Sequence, residues 1–154
     1  MIKNRKITVT LLVLIVLTLI SIFVHSAMSP EVSSSESGAV GDIVEEIVPD
    51  EFSLKQFILD NIRKIAHFIE FGLLGAEVYC LVIALEAYRL KSHLLSLGFG
   101  ALVAFADESV QILSNRGPSV ADMWIDIAGY VCLSLLAAII HLAVYLIRKK
   151  MKSR

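Results

Sequence analysis

Four apolar runs decide what this chain can fold into. Ile7–Val24, about Ile65–Leu85, about Leu94–Leu113 and about Val120–Ile147 are each close to or above the ~20 residues that carry a helix across a bilayer. Hydrocarbon offers no partner to a bare peptide group, so a segment lying in it must satisfy its own backbone as a helix. The apolar residues come in blocks, at 56% hydrophobic against 19% charged, where a soluble domain of this length would carry more charge. The predicted fold class is all-α, an integral membrane helical bundle of four transmembrane helices with a short interfacial helix before the second.

The connecting segments divide the chain. The first run admits two readings, a cleaved signal peptide with Val24-His25-Ser26 as its cleavage pattern or a retained span. Its apolar core exceeds the about 7–15 residues of a signal h-region, which favours retention. Residues 26–50 carry Pro30, Ser33-Ser34-Ser35 and the acids Glu31, Glu36, Asp42, Glu45 and Glu46. That composition predicts a solvated extracytoplasmic connector with one short helix over 42–48, stopped by Pro49. Ser53-Leu54-Lys55-Gln56 fits a capping box that opens the interfacial helix. Residues 1–25 thus form a first span, 26–50 a connector and 51–154 a membrane domain of three spans. Gly72 and Ala76, and then Gly98, Gly100, Ala101 and Ala104, are small positions suited to close helix packing. Cys80 and Cys132 fall inside apolar runs and read as buried small hydrophobes. No P-loop, dinucleotide fingerprint or basic patch interleaved with aromatics is present, so nucleic acid is not an expected partner.

Charge gives the orientation. The terminal segments and the Glu86–Lys91 connector hold ten of the 14 basic residues (Lys3, Arg5, Lys6, Arg89, Lys91, Arg148, Lys149, Lys150, Lys152 and Arg154). Lys55, Arg63, Lys64 and Arg116 fall on the other side. The expectation is a multi-pass protein of a bacterial cell membrane with both termini cytoplasmic.

With that orientation, three helices deliver polar residues to one layer. His67 and Glu70 lie in the first turns of the second span. Asp107, Glu108 and Gln111 lie in the last turns of the third, and Asp122 and Asp126 in the first turns of the fourth. At about 1.5 Å per residue, all fall within roughly 10 Å of the outer boundary. His67 and Glu70 are i,i+3, while Asp107 with Gln111 and Asp122 with Asp126 are i,i+4, so each set shares a helix face. Charge at membrane depth is costly and points to function. His67, Glu70, Asp107, Glu108 and Asp126 are the candidate catalytic residues. Arg63, Lys64, Gln111, Arg116 and Asp122 are the candidate binding residues, with the Arg116 guanidinium suited to a phosphate or carboxylate.

The pattern leaves several chemistries open. His67 with a neutral carboxyl such as that of Glu108 would make an acid/base pair. His67 with several carboxylates would suit a hard divalent ion, although neither HExxH nor a two-His facial pattern is present, and no cofactor is specified. The bland alternative is a network in which Arg63, Lys64 or Arg116 pairs with the acids and sets helix register. Asp122 has its own bland role: Ser119-Val120-Ala121-Asp122 places it at the N3 position of a capping box. Glu77 lies too deep for the layer, and a partner or a proton is expected there. His25, His93 and His141 lie near span edges and are expected at the interface.

RKIAHFIEFGLLG, then DESVQ, then RGPSVADMWIDIAG resemble the VanZ-like family of small bacterial membrane proteins. The resemblance covers about residues 63–129, with His67, Asp107, Glu108, Gln111, Arg116, Asp122 and Gly129 on the family's motif positions. Many members carry Asn where this chain has Asp126. The family is named for a protein linked to low-level resistance to teicoplanin, a glycopeptide that acts outside the membrane. The resemblance implies an envelope protein, in agreement with the outward-opening polar pocket that the spacing and charge predict. The partners expected are membrane lipids and a lipid-linked cell-wall precursor or a glycopeptide.

Overall fold

The structure, a computed structural model, describes residues 5–49, 51–87, 89–115, 117 and 119–152. Among the described residues six helices follow one another: α1 (Arg5–Ala27), α2 (Pro30–Ile47), α3 (Lys55–Asp60), α4 (Ile62–Ala84), α5 (Leu90–Leu113) and α6 (Val120–Lys152). Four of them, α1, α4, α5 and α6, are long and apolar enough to cross a membrane, and they coincide with the four apolar runs. At 33 residues, α6 is about 50 Å long, against roughly 35 Å for the others, so its basic C-terminal turns run past the bundle.

The hub is α4, which packs against α6 most extensively and also against α1 and α5, while α2 and α3 rest on its first turns. Two glycines explain how α4 and α6 come so close. A Cβ on Gly75 would strike the Tyr130 carbonyl, and one on Gly129 would strike the Phe68 carbonyl. At both positions backbone meets backbone, which only a hydrogen side chain allows. Gly100 lies under the Tyr130 ring, where a Cβ would come within 2.8 Å of it, and Gly72 lies under Leu133. Gly98, by contrast, meets nothing within 4 Å and faces outward.

The apolar core is small: Ile15, Ile22, Phe71, Leu74, Val78, Val103, Ala104 and Tyr130. The buried Tyr130 hydroxyl donates to the Ser96 carbonyl at 2.9 Å, so it costs little to enclose. Most large aliphatic side chains point away from the bundle, with Leu135 58% and Ile139 64% exposed. In hydrocarbon those faces meet lipid tails. The two cysteines belong to this outer surface: both are free and exposed, which corrects the expectation that they are buried.

The segment expected to be a solvated connector with one short helix is instead an 18-residue helix, α2. Ser29 stands at its N-cap with extended backbone, Pro30 occupies the first turn and Glu31 faces the positive helix end. Ser37 donates back to the Ser33 carbonyl at 2.9 Å, which lets a serine-rich stretch stay helical. The helix stops where expected: Val48 is extended at ψ 120°, the conformation that Pro49 imposes on its predecessor. The Ser53 capping box does not form. Leu54 is the N-cap of α3 with no side-chain cap bond, and Gln56 donates forward to Asp60 at 2.9 Å. Asn61 then breaks α3 from α4, donating from its side chain to the Phe57 carbonyl at 2.9 Å.

Candidate functional site

The polar layer forms at the bundle end where α1 and α5 finish and α4 and α6 begin. His67 is five residues into α4, Asp107 six from the end of α5 and Asp126 six into α6, so each lies roughly 8–9 Å from its helix end. The three side chains meet. His67 Nδ1 is 3.7 Å from Asp107 Oδ2 and 3.8 Å from Asp126 Oδ1. All three residues are buried, with Asp107 at 0% and Asp126 at 2% exposure.

Asp107 is held from both sides. Gln111, one turn along α5, donates from Nε2 to its Oδ2 at 2.7 Å. Ser26, in the last turn of α1, donates to its Oδ1, and its single hydroxyl also lies 2.9 Å from the Ile22 carbonyl. A buried carboxylate with two fixed donors keeps its orientation and repays part of its desolvation.

The other predicted residues divide between two spaces. Arg63, Lys64, His67, Gln111, Asp122 and Asp126 line a cavity of about 10 Å³, room for a single water-sized group. Lys64 Nζ stands 3.9 Å from Asp122 Oδ1. A larger cleft of about 400 Å³ opens between the end of α1, α2 and the start of α4. Glu70 lines that cleft, as do His25, Ser33 and Glu36. Arg63 and His67 line both spaces and form the wall they share.

Glu108 is turned elsewhere. Its Oε2 accepts the Ser119 amide at 3.0 Å, which ties the end of α5 to the start of α6. The expected capping box at Ser119 is therefore only half present: Ser119 Oγ accepts the Asp122 amide at 3.2 Å, but the reciprocal bond goes to Glu108. Asp122 is thereby released to face Lys64. Glu108 makes no direct pair with His67: among the described residues, the carboxylates within 4 Å of His67 are those of Asp107 and Asp126. Arg116, the expected anion-binding group, lies outside the described residues.

The first helix contributes polar groups that its sequence did not announce. His25 Nδ1 and Glu70 Oε1 are 2.7 Å apart, and Ser21 donates to the same oxygen at 2.8 Å. Deeper, Thr18 donates to Glu77 at 3.1 Å, which supplies the partner that Glu77 needs below the layer. Ser21, His25 and Ser26, at i, i+4 and i+5, share the α1 face that meets α4 and α5. That spacing was the available signal. The other two edge histidines flank Tyr79 at the opposite end, where the Tyr79 hydroxyl is 3.2 Å from His141 Nδ1 and the His93 ring stacks at 6.2 Å.

The arrangement can hold a proton between imidazole and carboxylate, or an ion among the three side chains of His67, Asp107 and Asp126. Arg63 and Lys64 at the rim can meet an anionic group. Neither the curated proteins nor the solved structures yield a match to this chain. A family model described as VanZ/LLP1 matches residues 10–141, from within α1 to within α6 and through every residue of the polar layer. With four helices long and apolar enough to cross a membrane and a match over most of its length, this chain belongs to the VanZ/LLP1 family of membrane proteins.

Proposed function

We propose that this protein is a cell-envelope component that receives the anionic group of a lipid-linked molecule at its polar bundle end, with His67, Asp107 and Asp126 as the centre of the site. One observation carries the reading: three membrane-crossing helices bury a histidine and two aspartates against a wall shared with a 400 Å³ cleft. Buried charge at membrane depth is kept where it is used, and a cleft of this volume suits a small-molecule group.

The basic-residue split orients the site outward. A lipid-borne group then enters sideways from the outer leaflet into the cleft beside α2. Arg63, on the wall between cleft and cavity, meets its negative charge, and His67 faces it from the same wall. Arg116 is a further candidate for that charge. Teicoplanin, to which the family's namesake is linked, acts on this same side of the membrane, and that ties the proposed site to teicoplanin susceptibility.

A second reading is a non-enzymatic scaffold, favoured by the bonds His25–Glu70, Thr18–Glu77 and Gln111–Asp107, which stitch the bundle whatever the site binds. Expression in a teicoplanin-susceptible bacterium separates the two. The wild-type chain is expected to change the minimal inhibitory concentration, while His67→Ala and Asp126→Asn abolish the change at near-normal membrane abundance. An unchanged phenotype in both variants would remove the site from the function. Loss of both proteins from the membrane would favour the scaffold, since breaking a buried pair costs about 3–5 kcal/mol.

A further inference from the structure

We infer that His67, Asp107 and Asp126 form a binding site for one divalent transition-metal ion of the zinc or manganese kind. The inference rests on the site proposed above for its location, but ion binding is read out without any envelope phenotype.

The first argument is distance. One ligand-capable atom from each residue (His67 Nδ1, a carboxylate oxygen of Asp107 and one of Asp126) lies within 4.8 Å of the other two. The Nδ1–oxygen separations of 3.7 and 3.8 Å are too long for hydrogen bonds. They are close to the spacing of neighbouring ligands on one ion. Metal–ligand bonds of about 2.0–2.2 Å put tetrahedral ligands roughly 3.3–3.6 Å apart, so small side-chain rotations close the difference.

The second argument is the state of Asp126. It is 2% exposed, and its Oδ1 lies 3.8 Å from His67 Nδ1, beyond hydrogen-bond reach. It faces a cavity of about 10 Å³ that His67 also lines, a space for one ion or one water. A carboxylate removed from water needs a compensating partner, and a bound cation supplies one for Asp107 and Asp126 together.

The surroundings fit the same conclusion. Ser26 and Gln111 fix Asp107 from behind, as outer partners fix ligating carboxylates. Ligation through Nδ1 puts the His67 proton on Nε2, leaving the ring neutral. One imidazole with two carboxylates selects zinc, manganese or iron over calcium, which takes six to eight oxygens. Three protein ligands leave a coordination position open. It faces the cavity rimmed by Arg63 and Lys64, where a water or an anionic oxygen can sit.

The test uses the full chain, purified in lipid nanodiscs, stripped with a chelator and titrated with Co²⁺, Zn²⁺ and Mn²⁺. The expected result is one ion per chain by elemental analysis, with visible Co²⁺ absorption that Zn²⁺ abolishes. Asp107→Asn and Asp126→Asn, which keep side-chain shape, should weaken binding by at least about 100-fold, since even outer partners contribute roughly 10–100-fold. Glu46→Gln, exposed on α2, should bind as the wild type does. Substoichiometric binding by the wild-type chain overturns the inference, and so does wild-type affinity in both Asn variants. The wild-type result stands even if a variant fails to fold. If the chain binds one ion but changes no teicoplanin phenotype, the metal site is supported and the functional reading falls. If it binds none while His67→Ala still abolishes the phenotype, the metal site alone falls.

Discussion

His25, in the last turn of α1, reaches across to Glu70 of α4, with 2.7 Å between Nδ1 and Oε1. With Ser21 on the same oxygen and Ser26 on Asp107, the first helix closes one side of the polar layer. It acts as more than an anchor: without α1, Glu70 would lose Ser21 and His25, and Asp107 would keep only the Gln111 donor.

Removing those donors should loosen α1 without emptying the site. Glu70 is partly buried, at 18% side-chain exposure. The double variant Ser21→Ala/His25→Ala should therefore cost about 1–3 kcal/mol, the penalty for a carboxylate left without partners. Thermal unfolding in detergent reads the loss. Glu70→Gln should cost less, because its amide oxygen still accepts from Ser21. An unchanged melting temperature in the double variant would mean that α1 is held by its apolar contacts alone.

The α4–α6 crossing gives a sharper stability test. Alanine at Gly75 or Gly129 pushes a Cβ into a carbonyl of the facing helix, and backbone cannot swing aside as a side chain can. Each substitution should cost about 1–3 kcal/mol, and the pair should abolish membrane accumulation. Gly98→Ala, with open space around the new methyl, should be neutral or stabilising by up to about 1 kcal/mol. Equal behaviour of the Gly75 and Gly98 variants in a thermal scan would show that the helices do not touch there.

The convergence of His67, Asp107 and Asp126 was legible because charge inside an apolar run has few explanations, and the distance from each helix end follows from counting residues. The role of α1 was not, because Ser and His near the end of an apolar run look like interface residues until a partner helix is placed beside them. The helix α2 was hidden by composition: Ser, Gly and acids describe a linker on average, and the N-cap at Ser29-Pro30 is a weaker signal than that average. At Ser53 the local pattern misled in the other direction, since a capping box has meaning only where a helix begins. Which carboxylate meets His67 depended on helix rotation, and Glu108, next to Asp107 in sequence, points about 100° away from it.

Orientation can be tested with one cysteine. Ser33 is buried, at 7% exposure, whereas Ser35 is exposed on the outer face of α2. In a background with Cys80 and Cys132 replaced, Ser35→Cys should react with an impermeant thiol reagent on intact cells if the proposed orientation, with α2 outside, is right. Reaction only after lysis would turn the site inward and remove the outer leaflet as its source of ligand.

Glu108 separates a structural carboxylate from a reacting one. Its Oε2 satisfies the Ser119 amide at 3.0 Å, one of the donors that the start of α6 cannot satisfy within the helix. Glu108→Gln keeps an oxygen for that bond, so stability should stay within about 0.5 kcal/mol and the teicoplanin phenotype should persist. Glu108→Ala removes the acceptor and should cost about 1–2 kcal/mol, the usual loss for a helix cap. The first turn of α6 would then loosen, and Asp122 would move away from Lys64. Asp126, a turn deeper, would keep its place beside His67, so metal affinity in Glu108→Ala should fall far less than in Asp126→Asn. A Glu108→Gln protein that stays folded, yet loses the phenotype, would assign the reaction to the second oxygen of Glu108, which has no partner among the described residues. His67 would then act with Glu108 as well as with the two aspartates.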